Sequence, residues 1–286
     1  MNLIWPSATM QRNLVGGKAS VLGELFEDFR VPTFFCLSTD GIEHWEASKE
    51  DPSVQETLRV ALARLDPAGG ASFAVRSSAV GEDGAATSFA GQYTTVLGVK
   101  SLPELIAAID LCVQSARSAR VSAYQGGGAQ GSVPPMGVIV QRLIRACASV
   151  AAFSLDPSTG SAEEVLVNAV WGLGESLLGG HVTPDTFALR VADGTIRVAL
   201  SEKERMLISG VKGTEDVPVP ESLRLYPSLS LDQVREVATL VRALERRHGY
   251  PVDVECCYEG SLLYLLQCRP ITALPARAGA PTDVPC

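Results

Sequence analysis

The stretch PVDVECCYEGSLLYLLQCRP, residues 251–270, contains two apolar runs about a turn, and polar or charged side chains interrupt both runs. The interrupting residues are Asp253, Glu255, Gln267 and Arg269. Apolar runs on either side of a short glycine-containing turn, here at residues 259–261, predict a β-hairpin. Carboxylates in apolar strands need partners, because an unpaired buried charge is very costly. A magnesium ion is one such partner, since it takes a few protein oxygens together with the phosphates of a substrate.

The length of the turn decides which of these side chains share a face of the hairpin. A two-residue turn would put Glu255 and Gln267 on opposite faces, whereas a three-residue loop would pair Asp253 with Gln267. In the longer loop Glu255 and Gln267 become diagonal neighbours about 7–8 Å apart, close enough to hold one metal ion. We therefore predict the three-residue loop. The alternative is that Asp253 and Glu255 only pair with Arg269.

A further cation stands near the end of the apolar run FAVRSS, residues 73–78. Arg76 and the two serines after it can donate several hydrogen bonds to phosphate oxygens. The following loop of glycine, serine and alanine, which runs to Gln92, would let the backbone approach a ligand closely. The alternative is a salt bridge from Arg76 to Glu82 or Asp83.

Gly16, Gly17 and Lys18 precede a stretch with helical spacing of apolar residues. Free N–H groups and the dipole at a helix start favour an anion, and Lys18 adds a positive charge. The turn is not a P-loop, because Ala19 stands where a serine or threonine would hold magnesium. The alternative is an ordinary helix start.

The remaining pattern mixes helices and strands, which predicts an α+β chain with two lobes and a ligand cleft between them. Helical periodicity covers 53–65, 102–123 and 231–244, whereas 201–229 is Pro-rich and predicted to be irregular. We place the Gly-Lys turn and Arg76 in a first lobe, the hairpin in a second lobe and a tail at the end. These parts are 1–130, 131–274 and 275–286.

Composition excludes several classes of protein. The chain has 286 residues, of which 46% are hydrophobic and 20% charged, as in globular domains. Its formal net charge of -8 argues against a general nucleic-acid binder. We find no apolar run that would span a membrane and no signal peptide, and the seven cysteines lack C-x-x-C spacing. We therefore expect a cytoplasmic protein with reduced thiols.

Other motifs are weaker candidates. The GLGES stretch at 172–176 lacks the third glycine of a dinucleotide fingerprint, and could either close over a ligand or simply turn. The three histidines, His44, His181 and His248, lie far apart without metal-ligand spacing. We predict that none of them is catalytic.

An ordered set of motifs resembles the N-terminal nucleotide-binding domain of pyruvate phosphate dikinase, phosphoenolpyruvate synthase and rifampicin phosphotransferase. The resemblance runs from about residue 14 to 272 and implies an ATP-grasp fold with ATP between two lobes. The motifs are GGKASVLGEL, FAVRSSAVGED, SFAGQYTTVLGV, MGVIVQRLI, FSLDPSTG, NAVWGLGESLLGGHVTPDTF, HGYPVDVE and LYLLQCRPIT.

The resemblance also implies roles for single residues. Lys18 and Arg76 would bind phosphates, and Arg269 would face the same phosphates, so that these three cations form the catalytic set. Glu255 and Gln267 would hold Mg²⁺.

The resemblance also assigns roles to residues of the predicted hairpin and of a segment called the adenine hinge, which would contact the base of ATP. Asp253 belongs to the Asp-x-Glu that would contribute to nucleotide binding, while Gln141 and Leu143 would form the adenine hinge. Gly84 stands where many relatives have serine, which leaves the chemistry of that loop open.

The implied function is a Mg-ATP-dependent phosphotransferase or kinase unit. Members of the family continue into a domain whose histidine carries the phosphoryl group, whereas this sequence ends fourteen residues after Thr272. We therefore expect either a small-molecule acceptor or a separate histidine-bearing phosphocarrier protein as the partner. The alternatives are a freestanding ligase that forms an acyl phosphate and then an amide or ester, and a nucleotide sensor without turnover.

Overall fold

The computed structural model describes residues 2–7, 9–82, 94–125, 135–178, 182–210 and 213–272. Most described strands belong to two sheets. The first sheet contains β1 Leu3–Ile4, β2 Phe34–Leu37, β3 Phe73–Ala79, β4 Thr95–Val99 and β5 Met136–Arg142. The later strands are β6 Ala148–Phe153, β7 Glu164–Trp171, β8 Asp185–Arg190, β9 Ile196–Ala199, β10 Arg205–Gly210, β11 Gly213–Pro218, β12 Val252–Glu259 and β13 Leu262–Pro270.

The helices alternate with these strands along the chain. They are α1 Arg12–Val15, α2 Gly17–Leu25, α3 Thr39–Glu43, α4 Trp45–Ser48, α5 Pro52–Leu65, α6 Leu102–Gln125, α7 Glu175–Leu178, α8 Glu221–Arg224 and α9 Leu231–His248. The predicted helices at 53–65, 102–123 and 231–244 correspond to α5, α6 and α9. The last of these helices has defined caps at both ends, because Ser230 and Gln233 form a capping box at the start of α9 and Gly249 ends it in the left-handed conformation.

The first sheet has the order β1-β2-β5-β3-β4, and its described pairs are all antiparallel. One face is covered by apolar residues of α5 and α6, including Leu58 and Ile109, which are fully buried. The strand β3 is buried along its whole length, so Arg76 is a charged group inside an apolar sheet. Such a position is favourable only if Arg76 has polar partners.

The second sheet has the order β13-β12-β6-β7-β8-β9. Alternate residues of β6 and β12, such as Val150 and Val254, join the apolar core that also contains Val237 and Val241 of α9. Because side chains alternate between the faces of a strand, Glu255 points away from that core. The hairpin thus presents its polar side chains to the face opposite α9.

A single apolar core connects the two sheets, since residues of α2 and β2, such as Leu22 and Phe34, cluster with residues of the second sheet. The chain passes from the first sheet to the second between β5 and β6. The predicted lobe boundary at residues 130 and 131 lies outside the described residues, and β5, which follows that boundary in sequence, belongs to the first sheet.

The segment predicted to be irregular, 201–229, contains the two-stranded ribbon β10–β11 and α8, so that prediction is wrong. The ribbon packs against the first sheet, where a Cβ on Gly98 would lie only 2.6 Å from the Cα of Gly213. Neither strand of the ribbon has a buried face, and for this reason its sequence lacks the alternation that marks a strand. Among the helices that the structure describes, none is both long and apolar enough to cross a bilayer.

Candidate functional site

The closing hairpin differs from the predicted one in its turn. Glu259 pairs with Leu262, so the turn has two residues and the predicted three-residue loop is wrong. The ladder then shifts by one residue between Cys256 and Glu255, where Leu266 is the extra residue of a β-bulge. The bulge reverses the parity that the turn had set.

As a result, Glu255 lies directly opposite Gln267 instead of diagonal to it. Paired residues of neighbouring strands project from the same face, so the two side chains do share a face as predicted. Asp253 lies opposite Arg269 on that face, because it is two residues from Glu255.

Arg76 connects the two sheets at this point. Its guanidinium donates a hydrogen bond of 2.7 Å from Nη2 to Gln267 Oε1, and the same nitrogen lies 3.7 Å from Glu255 Oε2. Its Nη1 donates to the carbonyl oxygen of Leu266 at 2.9 Å, so the bulge supplies the third acceptor. Arg76 is 8% exposed, and its described partners lie in the hairpin rather than at the predicted alternative Glu82. The other predicted alternative, Asp83, lies outside the described residues.

Glu82 instead pairs with Lys18, whose Nζ lies 3.1 Å from Glu82 Oε1 and 3.3 Å from the carbonyl oxygen of Ser77. The glycine turn before Lys18 is pressed against the end of β3. A Cβ on Gly16 would lie 1.8 Å from the carbonyl oxygen of Ser78, and Gly16 has a φ of 82°. This close approach explains the glycine and fixes Lys18 beside the strand that carries Arg76.

The third cation of the predicted site, Arg269, has a partner within the hairpin. Arg269 donates to Asp253 Oδ2 from Nε at 2.8 Å, and the Nη2–Oδ2 distance is 2.7 Å. Burial raises the pKa of Asp253 above its ordinary value, although the Arg269 charge acts in the opposite direction. Asp253 thus pairs with Arg269, as the alternative interpretation of the sequence expected, whereas Glu255 lies beside Arg76.

A cavity of about 620 Å³ lies between the sheets. Arg76 and Glu255 line it, and so do Gln141 and Leu143 of the predicted adenine hinge. The hinge is held in place by two hydrogen bonds, from Gln141 Nε2 to the Pro32 carbonyl oxygen at 3.2 Å and from the Leu143 N–H to the Ser72 carbonyl oxygen at 2.8 Å. Lys18, Asp253, Gln267 and Arg269 are not among the residues that line this cavity.

The donor chemistry of Glu255 and Gln267 fits a magnesium ion. Both present oxygen atoms, and both already face the cationic guanidinium of Arg76. Within the described ranges no group of three His, Cys, Asp or Glu side chains could hold a metal by itself. A magnesium ion here would need further oxygen ligands, and the phosphates of a nucleotide are the usual source.

Two features of the cavity were not assigned from the sequence. Glu175, in the GLGES stretch, lines the cavity, and burial raises its carboxyl pKa. Cys257 also lines it, and burial raises the pKa of this thiol to about 12, so it is protonated at neutral pH and a poor nucleophile. Gly174 and Glu175 both line the cavity, so this stretch forms part of its wall. The sequence feature that could have identified Glu175 as a candidate is a carboxylate within a glycine-rich stretch.

The two histidines that the structure describes, His44 and His248, do not line this cavity. His248 stacks on Tyr250 with ring centroids 5.3 Å apart, and burial lowers its pKa. His44 Nδ1 donates a hydrogen bond to the Asp40 carbonyl oxygen at 2.9 Å. His181, the loop from Asp83 through Gly84 to Gln92, and the tail 275–286 lie outside the described residues. The six described cysteines are free thiols, in agreement with the prediction for them.

Several curated proteins are similar to this chain over most of its length. A rifampicin phosphotransferase of Streptomyces sp. is 33% identical over 297 residues, covering 91% of this chain and 34% of the relative. The uncharacterized phosphotransferase YvkC of Bacillus subtilis is 39% identical over 204 residues, covering 71% of this chain and 24% of the relative. A probable phosphoenolpyruvate synthase of Methanocaldococcus jannaschii is 30% identical over 307 residues, covering 92% and 26%.

The chain thus spans about a third or less of the length of these relatives. A family model described as pyruvate phosphate dikinase, AMP/ATP-binding domain, matches residues 46–284, which is most of the chain. The predicted α+β, ATP-grasp class and the predicted relation to ATP-dependent phosphotransferases are confirmed. The chain belongs to the pyruvate phosphate dikinase AMP/ATP-binding domain family.

Proposed function

We propose that this chain binds Mg-ATP between its two sheets and activates it for phosphoryl transfer. The observation that carries the proposal is the contact of Arg76, from the first sheet, with Glu255 and Gln267 of the second. It brings a phosphate-binding type of side chain and a carboxylate to one wall of a nucleotide-sized cavity, with the amide oxygen of Gln267 directly behind them on Arg76 Nη2.

The cavity is lined by different kinds of group along the first sheet. Arg76 and, from the second sheet, Glu255 are charged, whereas Gln141 lies opposite Ala74, two residues before Arg76 on β3, and Leu143 follows it. A nucleotide has the same division, because its triphosphate is charged and its base is flat and largely apolar. We therefore place the triphosphate at Arg76 and the base at the hinge.

In this arrangement the chain contributes position and charge. Arg76 and Lys18 would neutralise negative charge on the transferred phosphoryl group, and Arg269, once released from Asp253, would face the same oxygens. A magnesium ion held by Glu255 and Gln267 would supply Lewis-acid stabilisation of the phosphate charge. The described side chains that line the cavity offer no activated nucleophile, because the thiol of Cys257 is protonated.

The acceptor is therefore a separate group. Relatives are named for rifampicin phosphorylation and for phosphoenolpyruvate synthesis, and a further one, from Serratia marcescens, is named prodigiosin synthesizing transferase PigC and is 32% identical over 287 residues. We propose a small molecule, or a histidine on a phosphocarrier domain or protein, as the acceptor.

The test is a phosphorus NMR time course of the chain with Mg-ATP and a panel of small acids, amines and alcohols. The wild type should bind ATP and, with the right acceptor, form ADP or AMP. Glu255→Gln should lose the magnesium-dependent part of ATP binding and turnover while it remains folded. Glu259→Gln is the matched control, because Glu259 lies in the same strand and contacts the Arg145 N–H at the exposed turn.

Each outcome has a distinct meaning. ATP binding that is unaffected in Glu255→Gln would contradict the metal assignment, and an absence of ATP binding in the wild type would contradict the proposed function itself. Binding without turnover would direct the search to a histidine-bearing partner or to a sensor function.

A further inference from the structure

We propose that Arg76 makes this site select the metal–nucleotide complex over the free metal ion. The proposal rests on the nucleotide-binding function above and concerns the order in which the ligands enter. Without a ligand, the guanidinium of Arg76 contacts the same oxygens of Glu255 and Gln267 that a metal ion would bind. It gives up these contacts only when phosphate oxygens are bound in their place.

The geometry shows how fully the guanidinium engages these oxygens. Arg76 Nη2 lies 2.7 Å from Gln267 Oε1 and 3.7 Å from Glu255 Oε2, while Nη1 donates to the Leu266 carbonyl oxygen at 2.9 Å. Arg76 and Gln267 are 8% and 5% exposed, respectively. The contact is therefore a buried, multidentate one, in which the planar fork of an arginine holds its position better than a lysine would.

Each of the other candidate phosphate-binding cations has its own carboxylate. Lys18 is paired with Glu82, and Arg269 is paired with Asp253. Arg76 is the cation whose carboxylate partner is also a proposed magnesium ligand. The competition between protein cation and metal ion is thus specific to this side chain.

Electrostatics make the competition effective. A divalent ion bound to Glu255 and Gln267 would lie within a few ångströms of the guanidinium, and like charges at such a distance repel much more strongly in a partly dry cavity than in water. Free Mg²⁺ is also reluctant to lose its water shell. A triphosphate removes both obstacles, because it offers Arg76 new oxygen acceptors and brings negative charge to the metal.

The experiment measures metal binding without turnover. Mn²⁺, which prefers the same oxygen ligands, is titrated into the full chain alone and monitored by the electron paramagnetic resonance of free Mn²⁺. A second titration adds preformed Mn²⁺ complex of a non-hydrolysable ATP analogue and is followed by calorimetry. Both titrations are made on the wild type and on Arg76→Gln, Arg76→Lys and Arg142→Gln.

Arg142→Gln is the matched control for charge. Arg142 lines the same cavity, so its substitution lowers the local positive charge by the same amount. Arg76→Lys keeps the charge but loses the fork. If Arg76→Gln folds poorly, Arg76→Lys provides a second measurement of how the Arg76 side chain affects Mn²⁺ affinity.

We expect Arg76→Gln to bind Mn²⁺ alone at least roughly tenfold more tightly than the wild type, since a close like charge is removed. Arg142→Gln should stay within about twofold of the wild type, because Arg142 lies opposite Phe73, three residues before Arg76 on β3, which places its charge farther from the oxygens. Arg76→Lys should fall between Arg76→Gln and the wild type. The metal–nucleotide complex should bind the wild type more tightly than it binds Arg76→Gln.

Equal affinities of the wild type and Arg76→Gln for Mn²⁺ alone would overturn the inference. An equal gain in Arg142→Gln would also overturn it, because the effect would then be one of overall charge. Wild type that binds Mn²⁺ alone as tightly as the metal–nucleotide complex would overturn it without any variant. Failure of the wild type to bind the complex would instead contradict the proposed function.

Discussion

Two buried clusters of charged residues in this molecule differ in how completely they are enclosed. Lys203 and Asp185 form an ion pair of 2.7 Å, and both side chains are fully buried. Arg76 and Glu255 are 3.7 Å apart, and their side chains are 10% and 18% exposed. Both clusters place a cation beside a carboxylate, but only the second lines the cavity.

The first cluster is closed, because nearby groups of the second lobe satisfy its atoms. Asp185 Oδ1 accepts from Lys203 and from the Ser201 N–H, and Oδ2 accepts from both the N–H and the hydroxyl of Ser228. Lys203 also donates to the Ser201 carbonyl oxygen at 2.8 Å. A cluster of this kind stabilises the chain path after β8 and has no direction open to a ligand.

The second cluster joins two sheets and has one side on a cavity. Its longer ion pair and its exposure mean that a ligand can replace the contacts without leaving a charge stranded in an apolar core. Full enclosure thus indicates a structural role, and partial enclosure at a cavity indicates a binding role. The predictions below test this distinction.

Asp185→Asn should have the largest effect on stability. It leaves the buried Lys203 ammonium without a counter-charge, and breaking such a pair typically costs about 3–5 kcal/mol. Urea denaturation followed by circular dichroism measures the free energy of unfolding. A loss below about 1 kcal/mol would mean that enclosure does not identify the structural cluster.

Arg76→Gln should lose less stability, about 1–2 kcal/mol, because the Glu255 carboxylate that it leaves behind can be hydrated from the cavity. Its main effect should be on ligand-induced stabilisation, which depends on the ratio of ligand concentration to Kd. We expect the upward shift of the melting temperature with Mg-ATP to be largely lost in Arg76→Gln and retained in Asp193→Asn, a surface control. An unchanged shift would remove Arg76 from the site.

The raised pKa of Asp253, which pairs with Arg269, should make the free energy of unfolding depend on pH. Burial raises the folded-state pKa of Asp253 above its ordinary value of 3.8. The unfolded state therefore releases this proton first, and the stability contribution is full below about pH 4 and is lost as the pH rises through the raised folded-state pKa.

Asp253→Asn removes this titration. The free energy of unfolding of the wild type relative to Asp253→Asn should therefore fall as the pH is raised from 4 to neutrality. Chemical denaturation at several pH values measures the difference. A difference that grows with pH would show that Arg269, and not burial, dominates the environment of Asp253.

The surface pair of Arg205 and Asp216 gives the smallest expected effect. Both side chains are more than half exposed, and exposed pairs contribute less than about 1 kcal/mol. Asp216→Asn should therefore unfold at nearly the same urea concentration as the wild type. A loss as large as that of Asp185→Asn would contradict the role that we assign to enclosure.

Much of the site was visible in the sequence because its polar residues interrupt apolar strands. Arg76, Glu255 and Gln267 stand out for that reason, and the structure brings them together. The helices α5, α6 and α9 were also predictable, since their apolar residues recur at helical spacing. The roles of these site residues remain proposals.

The register of the hairpin could not be read from the sequence. Leu265 and Leu266 are both apolar, so nothing in the pattern marks which of them is the extra residue of the bulge. Because we assumed a regular ladder, we predicted a three-residue loop instead of the two-residue turn. The prediction that Glu255 and Gln267 share a face was nevertheless correct. Lys203 was missed for another reason: its partner Asp185 is 18 residues away in sequence, and no local spacing of residues marks the two as a pair.

The bulge at Leu266 also governs how this hairpin tolerates changes in length. Deletion of Leu266 would leave Glu255 opposite Gln267, because the ladder already omits that residue. The same deletion would remove the carbonyl oxygen that accepts from Arg76 Nη1. A one-residue deletion here would thus preserve the alignment of the strands and remove one of the three contacts that Arg76 makes with the hairpin. Strand alignment and the Arg76 contact between the sheets can therefore be altered separately.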